Sequence, residues 1–90
     1  MYKIIYQHLV VGEDIPKLSG KWKEKIRRTI EERLTTHPDL YGKPLRRSLK
    51  GYRKFRVGDW RVIFRIEKST VKILVIQHRS VVYGKVSKRT

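Results

Sequence analysis

The feature that most constrains the fold of this chain is residues 49–66, LKGYRKFRVGDWRVIFRI, in which two alternating runs flank Gly58-Asp59. A Gly-Asp pair between β-rich runs is typical of a two-residue hairpin turn, because glycine readily adopts the positive φ of the first turn position. Such a turn fixes the register of both strands. The predicted cross-strand pairs are Val57 with Trp60, Arg56 with Arg61, Phe55 with Val62, Lys54 with Ile63, Arg53 with Phe64 and Tyr52 with Arg65.

The two faces of this hairpin differ in chemistry, since side chains alternate between faces along a strand. The face predicted to be core carries Phe55, Val57, Trp60, Val62, Phe64 and Ile66, with Arg53 at its edge. The other face carries Tyr52, Lys54, Arg56, Arg61, Ile63 and Arg65. Arg56 opposite Arg61 is a destabilising like-charge pair, which a fold tolerates where an anion binds between them. Phosphate is the obvious anion because arginine binds it bidentately, although the same pattern also fits a solvated basic face.

The charge of the chain is unevenly distributed. Residues 1–42 hold 8 Lys+Arg and 6 Asp+Glu, whereas residues 43–90 hold 15 and 2, so the net charges are +2 and +13. This asymmetry favours an anionic partner, with nucleic acid first and an acidic protein second. A membrane is disfavoured, because the excess charge lies on predicted strands and no apolar run approaches the roughly 20 residues of a membrane span.

The remaining segments predict a small α+β protein. Residues 2–7 form a first strand, and Asp14 caps a short helical turn that contains Pro16. Trp22, Ile26, Ile30 and Leu34 recur every four residues and predict a helix from Ser19 or Gly20 to about Thr36, ended by His37-Pro38. Residues 38–48 read as a connection. Lys68-Ser69 forms a second turn, and the apolar run 71–78 is a central strand whose Lys72, Leu74, Ile76 and His78 share the basic face.

The expected architecture is therefore β-α-α-β-β-β: a small antiparallel sheet with two N-terminal helices on one face, within a single domain spanning residues 1–90. The other face is expected to be basic and concave, with a short tail that docks through Tyr83 and Val82 or Val86. The N-terminus leads directly into a strand pattern, which predicts no signal peptide. Without cysteine, the chain is expected in the cytoplasm.

The residue types that converge on one end of this sheet narrow the chemistry. Three histidines without ligand spacing and two remote carboxylates in the second half predict neither a metal site nor a cofactor. The candidate catalytic residues are Lys54, Arg61, His78, Arg79 and Tyr83. Metal-free RNA cleavage needs such a set: a base near the 2′-OH, cations for the phosphorane and an acid for the leaving oxygen. His78 also fits a strand-end histidine bonded within the sheet, and Tyr83 also fits simple docking of the tail.

Two sequence blocks, LKGYRKFRVGDWRVIF and His78-Arg79 followed by Val82-Tyr83, resemble the RelE/ParE toxin superfamily. The resemblance spans roughly residues 14–83. It implies a type II toxin held inactive by a cognate acidic antitoxin, and RelE-like members cut mRNA in the ribosomal A site. By position, Lys54 resembles the base or phosphate stabiliser, and Arg61 resembles the arginine that stabilises the transition state. Arg79 resembles the late arginine implicated in leaving-group protonation or phosphate binding, and Tyr83 resembles the C-terminal tyrosine that orients the mRNA.

The resemblance also leaves alternatives within the superfamily. ParE-like members share the fold but poison DNA gyrase, and a decayed member would only bind nucleic acid or its antitoxin. The nuclease interpretation predicts a ribosome- and RNA-binding surface that consists of Arg46, Arg47, Lys50, Arg53, Arg56, Arg65 and Lys72. An acidic antitoxin would cover Leu74 and Ile76 with apolar anchors, and its carboxylates would meet the Arg56/Arg61 face or displace the tail that carries Tyr83.

Overall fold

The structure, a computed structural model, describes residues 1–45 and 51–89. Its elements in chain order are β1 (Lys3–Tyr6), a π-helical segment (Val10–Asp14), a 3₁₀ turn (Ile15–Lys17), α1 (Gly20–Arg33), α2 (Pro38–Tyr41), β2 (Lys43–Pro44), β3 (Tyr52–Val57), β4 (Trp60–Glu67), β5 (Thr70–His78) and α3 (Val82–Arg89). The predicted α+β class is confirmed. No helix in these two ranges is both long enough and apolar enough to span a membrane.

Helix α1 follows the sequence pattern that predicts it, but it ends at Arg33 and not near Thr36. Ser19 is its N-cap, and the Ser19 hydroxyl accepts a hydrogen bond from the Trp22 backbone N–H at 3.4 Å. Ile26 and Ile30 are fully buried against the sheet, as is Leu34 just past the last turn. The apolar stripe of α1 therefore builds the main core with Phe55, Val57, Val62, Phe64 and Val71, among others.

The β3–β4 hairpin has the predicted register at every pair, including Arg56 opposite Arg61. Gly58 takes the first turn position with a φ of +61°, a conformation that costs glycine little. A Cβ at this position would also lie 2.7 Å from a ring carbon of Trp22. The turn therefore requires glycine for its backbone conformation and for the close packing of α1.

The sheet is mixed and has the strand order β1-β5-β4-β3-β2. Strand β1 pairs with β5 in parallel, from Lys3 opposite Thr70 to Tyr6 opposite Ile73, so the expectation of a purely antiparallel sheet is wrong for this pair. Alternation in residues 2–7 identifies a strand but carries no information on its direction. The helical crossover between β1 and the hairpin provides the long connection that parallel pairing needs. The sequence predicts a central position for β5; the strand lies inside the sheet, between β1 and β4, although the middle position of the five strands belongs to β4.

A β-bulge at Leu74 changes which residues of β5 share a face. Ile63 pairs with Val75 and Phe64 pairs with Ile73, so Leu74 is the extra residue. Leu74 and Val75 both face the side of the sheet away from α1, and Ile76 packs in the α1-side core. The prediction that Ile76 and His78 share the basic face is therefore wrong, because the bulge reverses the alternation after Leu74.

The predicted basic, concave face has a helix packed on it. Val82 and Val86 of α3 are buried against Ile63, Leu74 and Val75, and together they form a second apolar cluster. The sequence predicts docking of the tail through these residues but not the helix itself. Because α3 covers the apolar centre of this face, the cationic side chains of β3 and β4 surround it.

Asp14 anchors the far end of α3 and does not cap the following turn, which corrects the sequence prediction. Its buried carboxylate accepts hydrogen bonds from the Ile76 backbone N–H at 2.8 Å and from the Gln77 amide at 2.6 Å. It also binds both terminal nitrogens of Arg89, at 2.7 and 2.8 Å. The hydrogen bonds to Asp14 raise the pKa of Arg89 above its ordinary value. This buried network fixes the C-terminal end of α3 at the edge of β5.

Candidate active site

Lys54 and Tyr83 form the one side-chain hydrogen bond between predicted catalytic residues within the described ranges. The Lys54 ammonium on β3 donates a hydrogen bond to the Tyr83 hydroxyl on α3 at 3.1 Å. The same ammonium lies 5.9 Å from the centroid of the Tyr83 ring. Tyr83 is 48% exposed, so a ligand can reach this pair from solvent. The docking of α3 therefore sets the geometry of the candidate site.

Arg61 lies on the same face as Lys54 but is held more rigidly. It is only 8% exposed, and its Nη1 atom donates to the Gly58 carbonyl at 2.8 Å and to the Trp60 carbonyl at 3.1 Å. These bonds fix the guanidinium beside the hairpin turn. Arg56, directly across the strands, is exposed. The two guanidiniums make this end of the face strongly attractive to an anion.

Arg79 lies at the tip of the hairpin. Its backbone N–H donates to the Asp59 carbonyl at 2.9 Å, and its Nε atom lies 3.8 Å from an Asp59 carboxylate oxygen. Both side chains are well exposed, and a surface ion pair of this kind is worth only about 0–1 kcal/mol. A phosphate can therefore compete with Asp59 for Arg79 at little energetic cost.

His78 lies apart from the Lys54–Tyr83 pair. Its ring meets Trp60 edge to face at a centroid distance of 5.7 Å, on the α1 side of the sheet. The His78 Nδ1 atom lies 2.9 Å from the Ser80 hydroxyl oxygen and accepts the Ser80 backbone N–H at 3.2 Å. Both contacts are made by Nδ1 and neither by Nε2. The structure thus brings Lys54 and Tyr83 together and places His78 on the opposite face.

The predicted RNA-binding residues fall into different environments. Arg53 donates to the backbone carbonyls of Gly42 and Asp39, which ties α2 to the sheet edge. Arg65 and Lys72 both pair with Glu67, at 3.3 and 3.1 Å. Three further predicted residues, Arg46, Arg47 and Lys50, lie outside the described residues. RNA binding by all of these residues, and by Arg56, remains a prediction.

Sequence reasoning missed a small cleft beside Lys54. The cleft holds about 190 Å³ and is lined by Arg33, Tyr41, Lys43, Lys54, Phe55 and Arg56; we refer to it as the Tyr41 cleft. Its members come from α1, α2, β2 and β3, so no sequence spacing brings them together. The only sequence signal is that Pro38 can begin a short helix. Tyr41 then lies at the end of that helix, one turn from its start.

The described residues offer cations, a phenol hydroxyl and proton donors, but no grouping of three His, Asp or Glu side chains that could hold a metal ion. Such a set suits the binding of a phosphate and the stabilisation of charge that develops on it. The cations come from Arg56, Arg61 and Lys54 on the sheet and Arg79 at the hairpin tip.

The fold and this site define a class of small α+β proteins in which a C-terminal helix packs on a cationic sheet face. Residues 2–83 match the family model of the ParE toxin of type II toxin–antitoxin systems, parDE, and the chain belongs to this family. The resemblance to the RelE/ParE superfamily is therefore confirmed. Over 52 residues the chain is 44% identical to toxin RelG of Mycobacterium tuberculosis. The aligned segment covers 56% of this chain and 60% of that relative.

Solved structures with the same fold include two RelE-type proteins. A chain in the crystal structure of the toxin–antitoxin complex RelBE2 of M. tuberculosis is 31% identical, with a TM-score of 0.81 over 87% of this chain and 98% of that chain. The isolated RelE toxin of E. coli is 19% identical, with a TM-score of 0.70 over 99% of this chain and 98% of that chain. At this lower identity the likeness concerns the fold alone.

Proposed function

We propose that this protein is the toxin of a type II toxin–antitoxin system and acts as a ribosome-dependent, metal-independent mRNA endonuclease. The observation that carries the proposal is the contact between the Lys54 ammonium and the Tyr83 hydroxyl, on a cationic face that also holds Arg61. The ribosome is polyanionic, so the release of counterions would favour docking of a chain with a net charge of +15.

The proposed reaction is attack of an mRNA 2′-OH on the adjacent phosphorus. The 2′-oxygen loses its proton to a base and forms the new P–O bond, while the bond to the 5′-oxygen breaks and that oxygen gains a proton. The products are a 2′,3′-cyclic phosphate and a 5′-hydroxyl. Lys54 is the candidate phosphate contact in its ammonium form or the candidate base in its neutral amine form, and Arg61 stabilises the negative charge of the phosphorane. Arg79 binds the phosphate or assists the leaving oxygen.

Tyr83 and His78 have different places in this scheme. Tyr83 positions Lys54 through their hydrogen bond and offers an exposed ring on which a base can stack. His78 lies on the α1 side of the sheet at the end of β5. It could therefore serve as an acid or a base only for RNA that passes over that end of the strand. On this geometry, Lys54, Arg61 and Tyr83 carry the chemistry more directly than His78.

An acidic antitoxin is the proposed protein partner, supported by the RelBE2 toxin–antitoxin complex to which the chain is similar. The apolar anchors predicted for it must be revised. Ile76 is buried on the α1 side, and Leu74 is buried in the cluster beneath α3. An antitoxin would therefore contact the exposed cations around α3, such as Arg56 and Arg79, or displace α3 to reach Leu74.

A second candidate function is poisoning of DNA gyrase, which the resemblance implies for ParE-like members; the family model that matches this chain is that of the ParE toxin. That activity acts on a protein target and has no need for Lys54 and Tyr83 to meet at an exposed cationic face. The two candidates differ in their measurable product, since a nuclease leaves cut mRNA and a gyrase poison leaves mRNA intact.

The proposed nucleophile can be removed from the substrate without touching the protein. In a purified translation system, an mRNA with a single 2′-O-methyl group at the mapped cleavage position should resist cutting at that position, because no 2′-OH remains to attack. A 2′-O-methyl group one nucleotide further along serves as the control and should leave the cut in place. Equal cutting of both mRNAs would exclude 2′-OH attack.

Tyr83→Phe tests the contact that carries the proposal. The variant keeps the ring but removes the hydroxyl that accepts from Lys54, so we expect single-turnover mRNA cleavage to slow by roughly 10- to 100-fold. The urea midpoint should stay close to that of the native chain, because the hydroxyl contact is at the surface. Val81→Ala, at an exposed neighbour of α3, is the control variant. Unchanged cleavage in Tyr83→Phe would contradict the positioning of Lys54 by Tyr83.

A further inference from the structure

The Tyr41 cleft combines an accessible aromatic ring with several cations at the edge of the sheet. Tyr41 is 40% exposed, and the Arg33 guanidinium carbon lies 5.4 Å from the centroid of its ring. The Phe55 ring meets the Tyr41 ring edge to face at a centroid distance of 6.4 Å, and this contact restrains the Tyr41 ring. A planar group that enters the cleft can stack on the Tyr41 ring or on the guanidinium plane of Arg33.

The cleft is also strongly cationic. Four of its six lining residues carry a positive charge, Arg33, Lys43, Lys54 and Arg56, and none of the six carries a carboxylate. Lys43 and Lys54 are direct cross-strand neighbours, so β2 and β3 place two like charges side by side. This arrangement is costly in the free protein, and a bound phosphate would relieve it.

The edge of β3 is open where the cleft lies. Among the described residues, strand β2 pairs with Arg53 and Lys54 of β3 and ends there. The Tyr52 carbonyl accepts from the Leu45 backbone N–H, so the polar groups of Tyr52 point toward β2. Since backbone groups in an antiparallel strand alternate in direction, the N–H of Arg56 points to the same side, beyond the end of β2. It adds a backbone donor to the cations of the cleft.

Lys54 links this cleft to the candidate active site. It lines the cleft, and its ammonium also donates to Tyr83 on the other side. A chain of nucleotides bound at Lys54 can therefore continue over the sheet edge toward Tyr41. Alternating phosphates and unstacked bases match the alternation of cations and an aromatic ring in this path.

We propose that the Tyr41 cleft is a subsite for single-stranded RNA, in which Tyr41 and Arg33 stack a base next to the cleaved bond and Lys43 and Arg56 bind the adjoining phosphate. This inference rests on the proposed function, because it names where the mRNA runs outside the Lys54–Tyr83 pair. Such a subsite would strengthen the binding of the flanking nucleotide, and it would therefore favour RNA whose bases are accessible and unpaired.

The test uses the free protein and a fluorescein-labelled hexanucleotide with 2′-O-methyl groups throughout, which cannot be cleaved. Fluorescence anisotropy gives Kd across a salt series. Tyr41→Ala should weaken binding by about 5- to 100-fold with an unchanged salt slope, because stacking is lost and no charge is removed. Lys43→Gln should reduce the slope of log K against log salt by about 0.7, the value for one phosphate contact on a single strand.

Three control variants separate binding from folding. Tyr41→Phe retains the ring and should bind like the native chain. Leu40→Ala changes the exposed neighbour of Tyr41 on the same helix, and Lys17→Gln removes an exposed charge of the 3₁₀ turn; neither should alter Kd by more than about twofold. If Tyr41→Ala does not fold, the salt slope of Lys43→Gln decides the question.

The proposal is overturned if the native chain fails to bind the hexanucleotide at low salt, if Tyr41→Ala binds as tightly as Leu40→Ala, or if Lys43→Gln keeps the native salt slope. Because no ribosome is present, this result is independent of the nuclease assay. Loss of binding in Tyr41→Ala together with intact mRNA in the translation assay would support the cleft and reject the nuclease. Ribosome-dependent cleavage, together with hexanucleotide binding by Tyr41→Ala that matches the native chain, would support the nuclease and reject the cleft.

Discussion

Replacement of Asp14 by alanine is expected to lower the free energy of unfolding by about 3–5 kcal/mol, the usual cost of removing one partner from a buried ion pair. The Asp14 side chain is fully buried and that of Arg89 is 4% exposed. Without the carboxylate, the acceptors left to the Arg89 guanidinium among the described residues are the Leu74 carbonyl and Glu13, and the Ile76 N–H loses its acceptor. A domain of this kind has roughly 5–15 kcal/mol of stability in total, so the loss is a large fraction.

Urea unfolding of the Asp14→Ala and Glu13→Gln variants measures this effect with a matched control. Glu13 also pairs with Arg89, at 3.1 Å, but its side chain is 49% exposed. Its replacement should therefore cost no more than about 1 kcal/mol. In Arg89→Met, the hydrogen-exchange rate of the α3 amides should increase more than that of the β5 amides, relative to the native chain, because Arg89 anchors the end of α3. A cost for Asp14→Ala no larger than that for Glu13→Gln would refute a structural role for this pair.

Replacement of Lys54 by methionine is expected to reduce ribosome-dependent mRNA cleavage by about 100- to 10 000-fold, the range for loss of a general acid–base group. Methionine retains much of the apolar stem of lysine while it removes the ammonium that donates to Tyr83. Stability should not fall by more than about 0.5 kcal/mol, since the change also relieves repulsion from Lys43 across the strands.

The control for this prediction is Lys17→Met, which removes one positive charge from the 3₁₀ turn before α1. It tests whether loss of net charge alone slows cleavage by weakening association with the ribosome. Single-turnover cleavage at saturating ribosome concentration separates the two effects, because weaker docking changes the half-saturating concentration and not the maximal rate. A Lys54→Met variant that cleaves at the rate of Lys17→Met would remove Lys54 from the chemistry.

The sequence predicts those parts of the fold that depend on local pattern. The Gly58-Asp59 turn and the alternation around it correctly predict every pair of the β3–β4 hairpin. The four-residue recurrence of apolar residues predicts α1, and Ser19 marks its start. In these segments the turn chemistry, the strand period and the helix period all agree, so that local preference and tertiary packing favour the same structure.

The sequence does not predict features that depend on contacts between distant segments. A single bulge at Leu74 moves Ile76 and His78 to the α1 side, and nothing in the apolar run 71–78 marks its position. The pairing of Asp14 with Arg89 joins residues 75 positions apart, so Asp14 reads locally as a helix cap. The direction of β1 is likewise set by its partner strand.

The candidate site also has one part that the sequence predicts and one part that it does not. Register alone places Lys54, Arg56 and Arg61 on one face, and the structure agrees. The contact of Lys54 with Tyr83 depends on α3, an eight-residue helix that contains one glycine and has two buried valines. Helices of this length are held by tertiary packing, so the sequence predicts docking of the tail without its helical form.

The most direct test of the proposed nuclease is a 5′-end map of one mRNA in a purified translation system, with and without this protein and with and without ribosomes. We predict new 5′ ends that appear only when both the protein and ribosomes are present, at a fixed position within the reading frame. Intact mRNA in the presence of ribosomes, with translation unaffected, would contradict this function. The cationic face would then be a docking surface for another target, with DNA gyrase the first to assay.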